Sequence, residues 1–513
     1  MSIIMYRSPK IAKMMIRQSA IKYLARHFAS QRTVVLNDVV IVDAVRTPIG
    51  SFQGSLSTLS ATQLGGIAVK SLLTRTGVAA DKVDEVYMGN VCSAGLGQAP
   101  ARQAAIFGGL PESTVCTTVH KVCASGLKAV TLAAQTLMLG RQNTIIAGGM
   151  ESMSNVPYYL KRGQTPYGGV NLIDGIVFDG LTDVYNKIHM GSCAENTAKK
   201  HNISRQEQDA YAINSYKRSA DAWAKNLFKN EIVPVTIKPK RGLETIVNED
   251  EEYKRVDFGR FEKLATVFQR ENGTVTAGNA STLNDGASAL LLTTAAAANQ
   301  TNLKPLARIV DFQDAETFPI DFPIAPALAV PPLLQRNNLT KDDINLWEFN
   351  EAFAVVICAN GKILGLDMDR VNVRGGAISL GHPIGCSGAR ILTTLVHALK
   401  PNEYGVAGIC NGGGGATTVL VQKLFAADNN LPTLTLYTKD SCPLCDEVVE
   451  ELHRQNFMQR LNFEKVYITE PENRDFYKRY RYDIPVLHLN GQFLCKHRLD
   501  ANLLDSKLSE LNY

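Results

Sequence analysis

From Val39 onward, short apolar runs alternate with longer amphipathic ones. Val39–Ala44, Glu85–Asn90 and Thr144–Gly148 read as buried strands, and Thr62–Thr74, Pro100–Phe107 and Gly126–Met138 as helices. Such alternation implies α/β layers with a mainly parallel sheet. Ser125-Gly126-Leu127-Lys128 opens one long helix and Ser387-Gly388-Ala389-Arg390 another. Each helix is followed by an apolar strand ending in glycines, Thr144–Gly149 and Gly405–Gly415, so a duplicated α/β unit is expected. Between the halves lies a polar insertion, about Asn155 to Glu271, with one amphipathic helix, Arg205–Ala224. Excursions of this kind from a rigid scaffold tend to carry substrate-binding loops.

The second half runs to Leu424, a polar joint covers 425–430, and the pattern then restarts. Leu431–Tyr513 reads strand, helix, strand, helix, strand, strand, helix, with strands at Leu434–Thr438 and Val466–Thr469 and a helix at Asp446–Gln455. A third strand follows Asp483-Ile484-Pro485-Val486, and Asn490-Gly491 is a hairpin turn. The division is therefore a leader over 1–37, a first half over 38–303 holding the insertion of about 155–271, a second half over 304–424, the joint, and a small unit over 431–513.

Charge changes the picture only at the start of the chain. The net charge of +5 is too small to argue for nucleic acid, and no window has the ~20 apolar residues a membrane span needs. The first 37 residues hold no Asp or Glu but seven cations: Arg7, Lys10, Lys13, Arg17, Lys22, Arg26 and Arg32. Apolar residues such as Ile11, Met14, Ile21 and Leu24 fall between them at near-helical spacing. A basic, amphipathic, acid-free segment of this kind predicts a mitochondrial import leader, with cleavage near His27 to Arg32. A disordered basic tail or a helix lying on a membrane surface is the alternative. The ten cysteines form no secreted disulfide framework, since only Cys442 and Cys445 are closely spaced.

Four segments carry chemistry. Val119-His120-Lys121-Val122-Cys123-Ala124-Ser125-Gly126 sets a cysteine where a strand gives way to a helix, whose first N–H groups favour a thiolate. Gly381-His382-Pro383-Ile384-Gly385 holds a histidine in a Gly/Pro-shaped turn before a helix. Cys410-Asn411-Gly412-Gly413-Gly414-Gly415 ends a strand in four glycines, which points to close backbone approach. Asn350-Glu351-Ala352-Phe353 follows the apolar run Leu346–Phe349. Each segment alone is weak evidence. In this order, over Val39 to Leu424, they resemble the thiolase family signature, and His189–Tyr216 and Gly273–Gly286 resemble its mitochondrial acetoacetyl-CoA branch.

The resemblance implies an α/β fold: a duplicated thiolase fold in α-β-α-β-α layers with an inserted loop domain. It implies condensation of two acetyl-CoA to acetoacetyl-CoA and CoA, or the reverse cleavage, with no covalent cofactor. Cys123 would be the nucleophile that carries the acetyl group, His382 its proton acceptor, and Cys410 the base that takes the α-proton of the second acetyl-CoA. One oxyanion hole would use His382 and a water held by Asn350, the other the backbone N–H groups of Cys123 and Gly412. Tyr216, Arg255, Val256, Asp257, Arg260 and Ser281 match the family's CoA contacts, with Arg260 where relatives place lysine. Tyr216, Ala277, Gly278, Ala280 and Ile378 match a potassium site, Gly278 and Ile378 departing from the family's Ala and Val. A homotetramer is implied as well. Cys92, Cys116, Cys193 and Cys358 read as packing. A decarboxylating condensing enzyme would carry Cys-His-His, which Cys410 argues against.

The tail resembles a glutaredoxin-like, thioredoxin-fold family through Cys442-Pro443-Leu444-Cys445 and Asp483-Ile484-Pro485. That resemblance implies Cys442 as attacking thiol, Cys445 as resolving thiol, and a cis Pro485 opposite them, with thiol–disulfide exchange as an alternative activity. His497–Leu503 lacks the Gly-Gly pair of glutathione-binding members.

Overall fold

A computed structural model of the protein describes residues 36–510 except 165, 239–241 and 425–430. All but the last two residues of the expected leader, and the whole 425–430 joint, lie outside the described residues.

Nine strands carry the large sheet: β1 Val39–Arg46, β2 Glu85–Gly89, β3 Val115–Val119, β4 Thr144–Ser152, β5 Asn284–Thr294, β6 Ala307–Glu316, β7 Ile344–Phe349, β8 Tyr404–Asn411 and β9 Gly415–Lys423. A two-residue tenth, Gly50–Ser51, pairs with β5 off the main path. The order is β7-β8-β9-β6-β1-β5-β4-β2-β3. Counted outward from the central β6–β1 pair, the halves read β1-β5-β4-β2-β3 and β6-β9-β8-β7, so the duplication expected from the sequence is a repeated topology. The outermost strand of the second half shrinks to one parallel bridge, Trp347 to Val371, where the first half has the parallel pair β2–β3.

The expectation of a mainly parallel sheet is corrected. Only β2–β3, β2–β4 and β7–β8 are parallel. The pairs β1–β5, β1–β6, β4–β5, β6–β9 and β8–β9 are antiparallel. The misreading has a physical cause. Layers cover both faces of the sheet, so antiparallel strands such as β5 are buried throughout and read as the unbroken apolar runs usual for parallel strands.

The longer helices are α1 Ala61–Thr76, α2 Pro100–Phe107, α3 Ser125–Met138, α4 Met190–Lys200, α5 Arg205–Ala224, α6 Ala325–Arg336, α7 Ala354–Leu364 and α8 Ile384–Ala398. Their ends follow local chemistry. Ser60 with Gln63 and Ser204 with Glu207 form capping boxes at α1 and α5, and Gly77 closes α1 in the left-handed region. Strand residues alternate between two cores. Val39, Ile41, Leu290, Leu292, Ala407 and Ile409 pack on α3 and α8 in the centre. Val42, Val45, Ala289 and Leu291 pack outward on α1 and α2, and Val406 and Leu420 on the side of α6 and α7. The layers are thus helix, sheet, helix, sheet, helix, with α3 and α8 between the two half-sheets.

The repeated Ser-Gly pair explains how two helices share the middle layer. A Cβ on Gly126 would lie 2.8 Å from the Ala389 nitrogen, and one on Gly388 2.5 Å from the Leu127 nitrogen. The helices therefore touch backbone to backbone, and both begin beside the same space.

In the tail, β10 Thr433–Thr438, β11 Asn462–Tyr467, β12 Val486–Leu489 and β13 Gln492–Lys496 form a separate sheet of order β11-β10-β12-β13. Helices α9 Pro443–Arg454, α10 Arg474–Tyr480 and α11 Ala501–Glu510 complete the expected element order. The second strand starts at Asn462, four residues before the expected Val466. Ile484–Pro485 is cis, and Asn490 and Gly491 both have positive φ, as a two-residue hairpin turn requires.

Gly388→Ala should overpack the central layer at a cost of about 1–3 kcal/mol, lowering the thermal unfolding midpoint. A midpoint equal to wild type would show that the crossing is not tight.

Candidate active site

The chain leaves β3, turns through Val122 at φ 45°, and enters α3 two residues after Cys123. A β-branched residue in the left-handed region is strained, so its surroundings must hold it there. Ser125 does so locally: its Oγ donates to Val122 O (2.6 Å) and accepts from Lys121 N (2.9 Å). Lys121 Nζ then reaches Asp314 Oδ1 (2.9 Å) and Ala416 O (3.0 Å), anchoring the turn to the second half. Cys123 lines a largely apolar cavity of about 370 Å³ together with His382, Met190, Phe322, Phe353 and Ile384. Burial pushes the Cys123 thiol up to about 11, while the N–H groups of Gly412 and of Cys123 itself, aimed at the sulfur, pull the other way.

His382 follows Gly381, whose φ of 112° excludes a side chain and lets the turn press against Asn284. Asn284 Oδ1 accepts from His382 N (2.9 Å). Ser387 Oγ lies 2.5 Å from His382 Nδ1 and donates its own hydrogen to Pro383 O (3.0 Å). With its hydrogen directed to Pro383 O, Ser387 accepts from Nδ1–H, and in that tautomer Nε2 is the acceptor that faces the Asn350 amide. Nε2 lies 3.5 Å from Asn350 Nδ2. Burial and the Arg390 guanidinium hold His382 down at about 3. The resting pair is therefore a neutral thiol and a neutral imidazole, not a thiolate–imidazolium pair.

Asn350 is buried, and its Oδ1 has no protein partner, leaving an acceptor suited to water. Its neighbour Glu351 fixes the segment by accepting from Tyr211 (2.6 Å), Ser215 (2.7 Å), Asn372 (2.9 Å) and Ile378 N (3.1 Å). Cys410 is buried at the end of β8, and burial together with the Cys123 sulfur raises its thiol. The glycine run behind it is used for close approach: a Cβ on Gly414 (φ 101°) would meet Thr317 O at 2.2 Å. Thus the structure brings Cys123, His382, Cys410, Asn350 and Gly412 together from four separate segments of the chain.

The expected CoA contacts fall in two places. Tyr216, Arg255, Val256, Asp257 and Arg260 line a second cavity of about 480 Å³ with Ala277, Gly278 and Lys263. Ser281 lines the Cys123 cavity with Ala280. Among the described residues only Arg255 of the three cations has a carboxylate within 4.0 Å, Glu252 at 3.4 Å, which leaves Arg260 and Lys263 available to an anion. The carbonyls of Ala277, Gly278 and Ala280 accept no hydrogen bond among the described residues, so they fit a hard monovalent cation. Ile378 lines neither cavity but packs with Tyr216 and Phe261 behind the second.

Sequence reasoning missed Ser387, read only as a helix opening, and Lys263, one cation among many. In the tail, Cys442 and Cys445 are disulfide-bonded at the start of α9 with Cα atoms 5.3 Å apart. The remaining cysteines of the large unit that were read as packing are buried or half-buried, and all have free thiols.

The chain resembles known proteins along most of its length. The model "Thiolase, N-terminal domain" matches residues 39–296, "Thiolase, C-terminal domain" 303–423, and "Glutaredoxin-like domain" 433–509. Acetyl-CoA acetyltransferase A, mitochondrial, of Xenopus laevis is 66% identical over 399 residues, covering 78% of this chain and 94% of that protein. The mitochondrial acetyl-CoA acetyltransferase of Homo sapiens is 61% identical over 418 residues, covering 82% and 97%. The crystal structure of Acat5 thiolase from Ascaris suum in complex with coenzyme A aligns with a TM-score of 0.73 at 47% identity, covering 75% of this chain and all of that one.

Ser387→Ala removes the group that fixes the imidazole. Leaving the buried Nδ1–H without a partner should cost about 1–3 kcal/mol, a roughly five- to 150-fold loss in kcat. Steady-state kinetics with an unchanged KM would match this; an unchanged kcat would show that the tautomer is held some other way.

Proposed function

The chain belongs to the thiolase family, and from that membership we infer that it is an acetyl-CoA C-acetyltransferase of mitochondria. It joins two acetyl-CoA into acetoacetyl-CoA and CoA, and in reverse cleaves acetoacetyl-CoA with CoA. One observation carries the reading: the Cys123 sulfur, two backbone N–H groups beside it, the His382 imidazole and the Cys410 thiol lie at one site, and an apolar cavity opens from it.

The proton positions suggest the order of events. Cys123 passes its proton to His382 Nε2 and attacks the thioester carbonyl of the first acetyl-CoA. The carbonyl oxygen, now anionic, takes the N–H groups of Cys123 and Gly412. As the C–S bond breaks, the departing CoA sulfur takes the Cys410 proton and leaves as CoA thiol. Acetyl-Cys123 and a Cys410 thiolate remain, with His382 still protonated. Cys410 then removes the α-proton of the second acetyl-CoA, whose enolate oxygen faces His382 and a water on Asn350. The enolate carbon attacks acetyl-Cys123, and the departing Cys123 sulfur recovers its proton from His382. A Cys410 thiol raised by burial suits this sequence, because it begins as an acid and becomes a base only after CoA has left.

Arg255, Arg260 and Lys263 would receive the phosphates of CoA, while Ser281, which lines the Cys123 cavity, would meet its thioester arm. Potassium would bind the carbonyls of Ala277, Gly278 and Ala280 with the Tyr216 phenol and, behind it, Ile378, stiffening the wall of the CoA cleft. Residues 1–37 would act as the import leader, and the working enzyme would be a homotetramer. Among the described residues no helix is long and apolar enough to cross a membrane. The tail disulfide Cys442–Cys445, whose apolar cluster includes Ile484 just before the cis Pro485, would serve thiol–disulfide exchange independently of acyl transfer.

Cys123→Ser should lower acetoacetyl-CoA cleavage by ~1,000-fold or more. Cys410→Ser should still accept an acetyl group on Cys123 yet lose condensation by about 100- to 10,000-fold. Cleavage by the Cys123 variant at the wild-type rate would refute the assignment. Exchanging sodium for potassium at constant ionic strength should raise cleavage activity, and equal rates in the two salts would remove the proposed cation site.

A further inference from the structure

Glu151, at the end of β4, is fully buried, and among the described residues no cation contacts its carboxylate. Four donors hold it instead. Asn90 Nδ2 (2.7 Å) and Cys92 N (3.3 Å) donate to Oε1, and Val91 N (3.0 Å) and Gly385 N (3.0 Å) to Oε2. Asn90 to Cys92 form the loop after β2, and Val91 and Cys92 share a cluster with Val122 and Cys123. Gly385 lies in the first turn of α8, two residues after the His382-Pro383 turn. A Cβ on Gly385 would sit 2.8 Å from Glu151 Oε2, so the glycine is what lets the carboxylate reach this helix.

We propose that Glu151 is a positioning residue for acyl transfer, a buried carboxylate that clamps the His382 turn of the second half to the loop of the first half lying against Cys123. The proposal rests on Cys123 being the nucleophile. A buried hydrogen bond from His382 N to Asn284 Oδ1 (2.9 Å) also ties this turn to the first half, but it reaches the start of β5, whereas Glu151 reaches the loop that clusters with Cys123. The clamp is also a charge. The groups facing it are acidic or thiol: Asp285 on β5, Cys92 in the loop, Cys386 in α8, and Cys123. Burial lifts Glu151 to about 7, and its ionised form opposes the Cys123 thiolate. The sign follows. Burial is the main reason Cys123 stays protonated; above pH 7 the charged carboxylate adds to it, and below pH 7 the carboxyl is neutral and that addition fades.

The test is Glu151→Gln in the full chain, with Glu151→Asp beside it. In Gln one oxygen becomes an NH2 group facing two N–H donors, so kcat for cleavage should fall about tenfold or more while KM for CoA stays within about twofold. Alkylation of Cys123 by iodoacetamide, followed on its own peptide by mass spectrometry, reads the charge without needing turnover. Relative to wild type, the Gln variant should alkylate at an equal rate near pH 6 and about three- to tenfold faster at pH 8.5. The Asp variant keeps the charge but withdraws it from the donors, so it should lose rate without that pH-dependent gain. Wild-type kcat in either variant, or a Gln/wild-type alkylation ratio that does not change with pH, would overturn the proposal. If the Gln variant fails to fold, the Asp variant alone decides: wild-type kcat overturns the clamp, and a tenfold loss at an unchanged melting temperature supports it. Should Glu151 prove inert while Cys123→Ser is inactive, only the clamp falls; activity in Cys123→Ser would remove the nucleophile on which it rests.

Discussion

The structure depends on the backbone contact between α3 and α8. Neither Gly126 nor Gly388 has room for a Cβ, so the two helices cross at a distance that only glycine permits. That contact fixes the spacing of the two half-sheets, since the inner faces of β1, β4, β5, β8 and β9 all pack on the pair. It also fixes the chemistry. Cys123 lies just before α3 and His382 just before α8, so bringing the helix starts together brings the proposed nucleophile and its proposed base together. The active site is thus a seam between duplicated halves, and residues that stitch it, such as Lys121 to Asp314 and Glu151 to Gly385, run from one half to the other.

Burial sets the protonation states along this seam. Cys123 and Cys410 are both held as thiols and His382 as a neutral imidazole, because each charged form would lose water without gaining a full counter-charge. A site built this way stores its protons in neutral groups and moves them only when substrate supplies a charge to stabilise. The two N–H groups at the Cys123 sulfur are placed for that moment, and at rest they only soften the cost of burial.

Much of this was legible in the chain. The helix Arg205–Ala224 was visible to the residue because Ser204 and Glu207 form its capping box. The repeated Ser-Gly openings announced the duplication, and the glycine run after Cys410 announced close packing. Strand direction was not legible, because β5 is buried along its whole length and follows β4 only after the long insertion, and burial alone does not encode orientation. Nor were Ser387 and Glu151 visible as parts of the site. Their importance lies in which distant atoms they reach, His382 Nδ1 and Gly385 N, and such reach exists only after folding. The expected CoA positions came from family likeness, and the structure adds that most of them share one cation-lined cleft while Ser281 stands apart in the Cys123 cavity.

The central claim is that Cys123 carries the acetyl group between the two half-reactions. Acid-quenching the enzyme seconds after mixing with acetyl-CoA alone, then mapping the acetyl label by peptide mass spectrometry, tests it directly. The account predicts one acetyl group on the peptide containing Cys123, removed when free CoA is added before the quench. Label on Cys410 or on the tail cysteines, or none on Cys123, would contradict it.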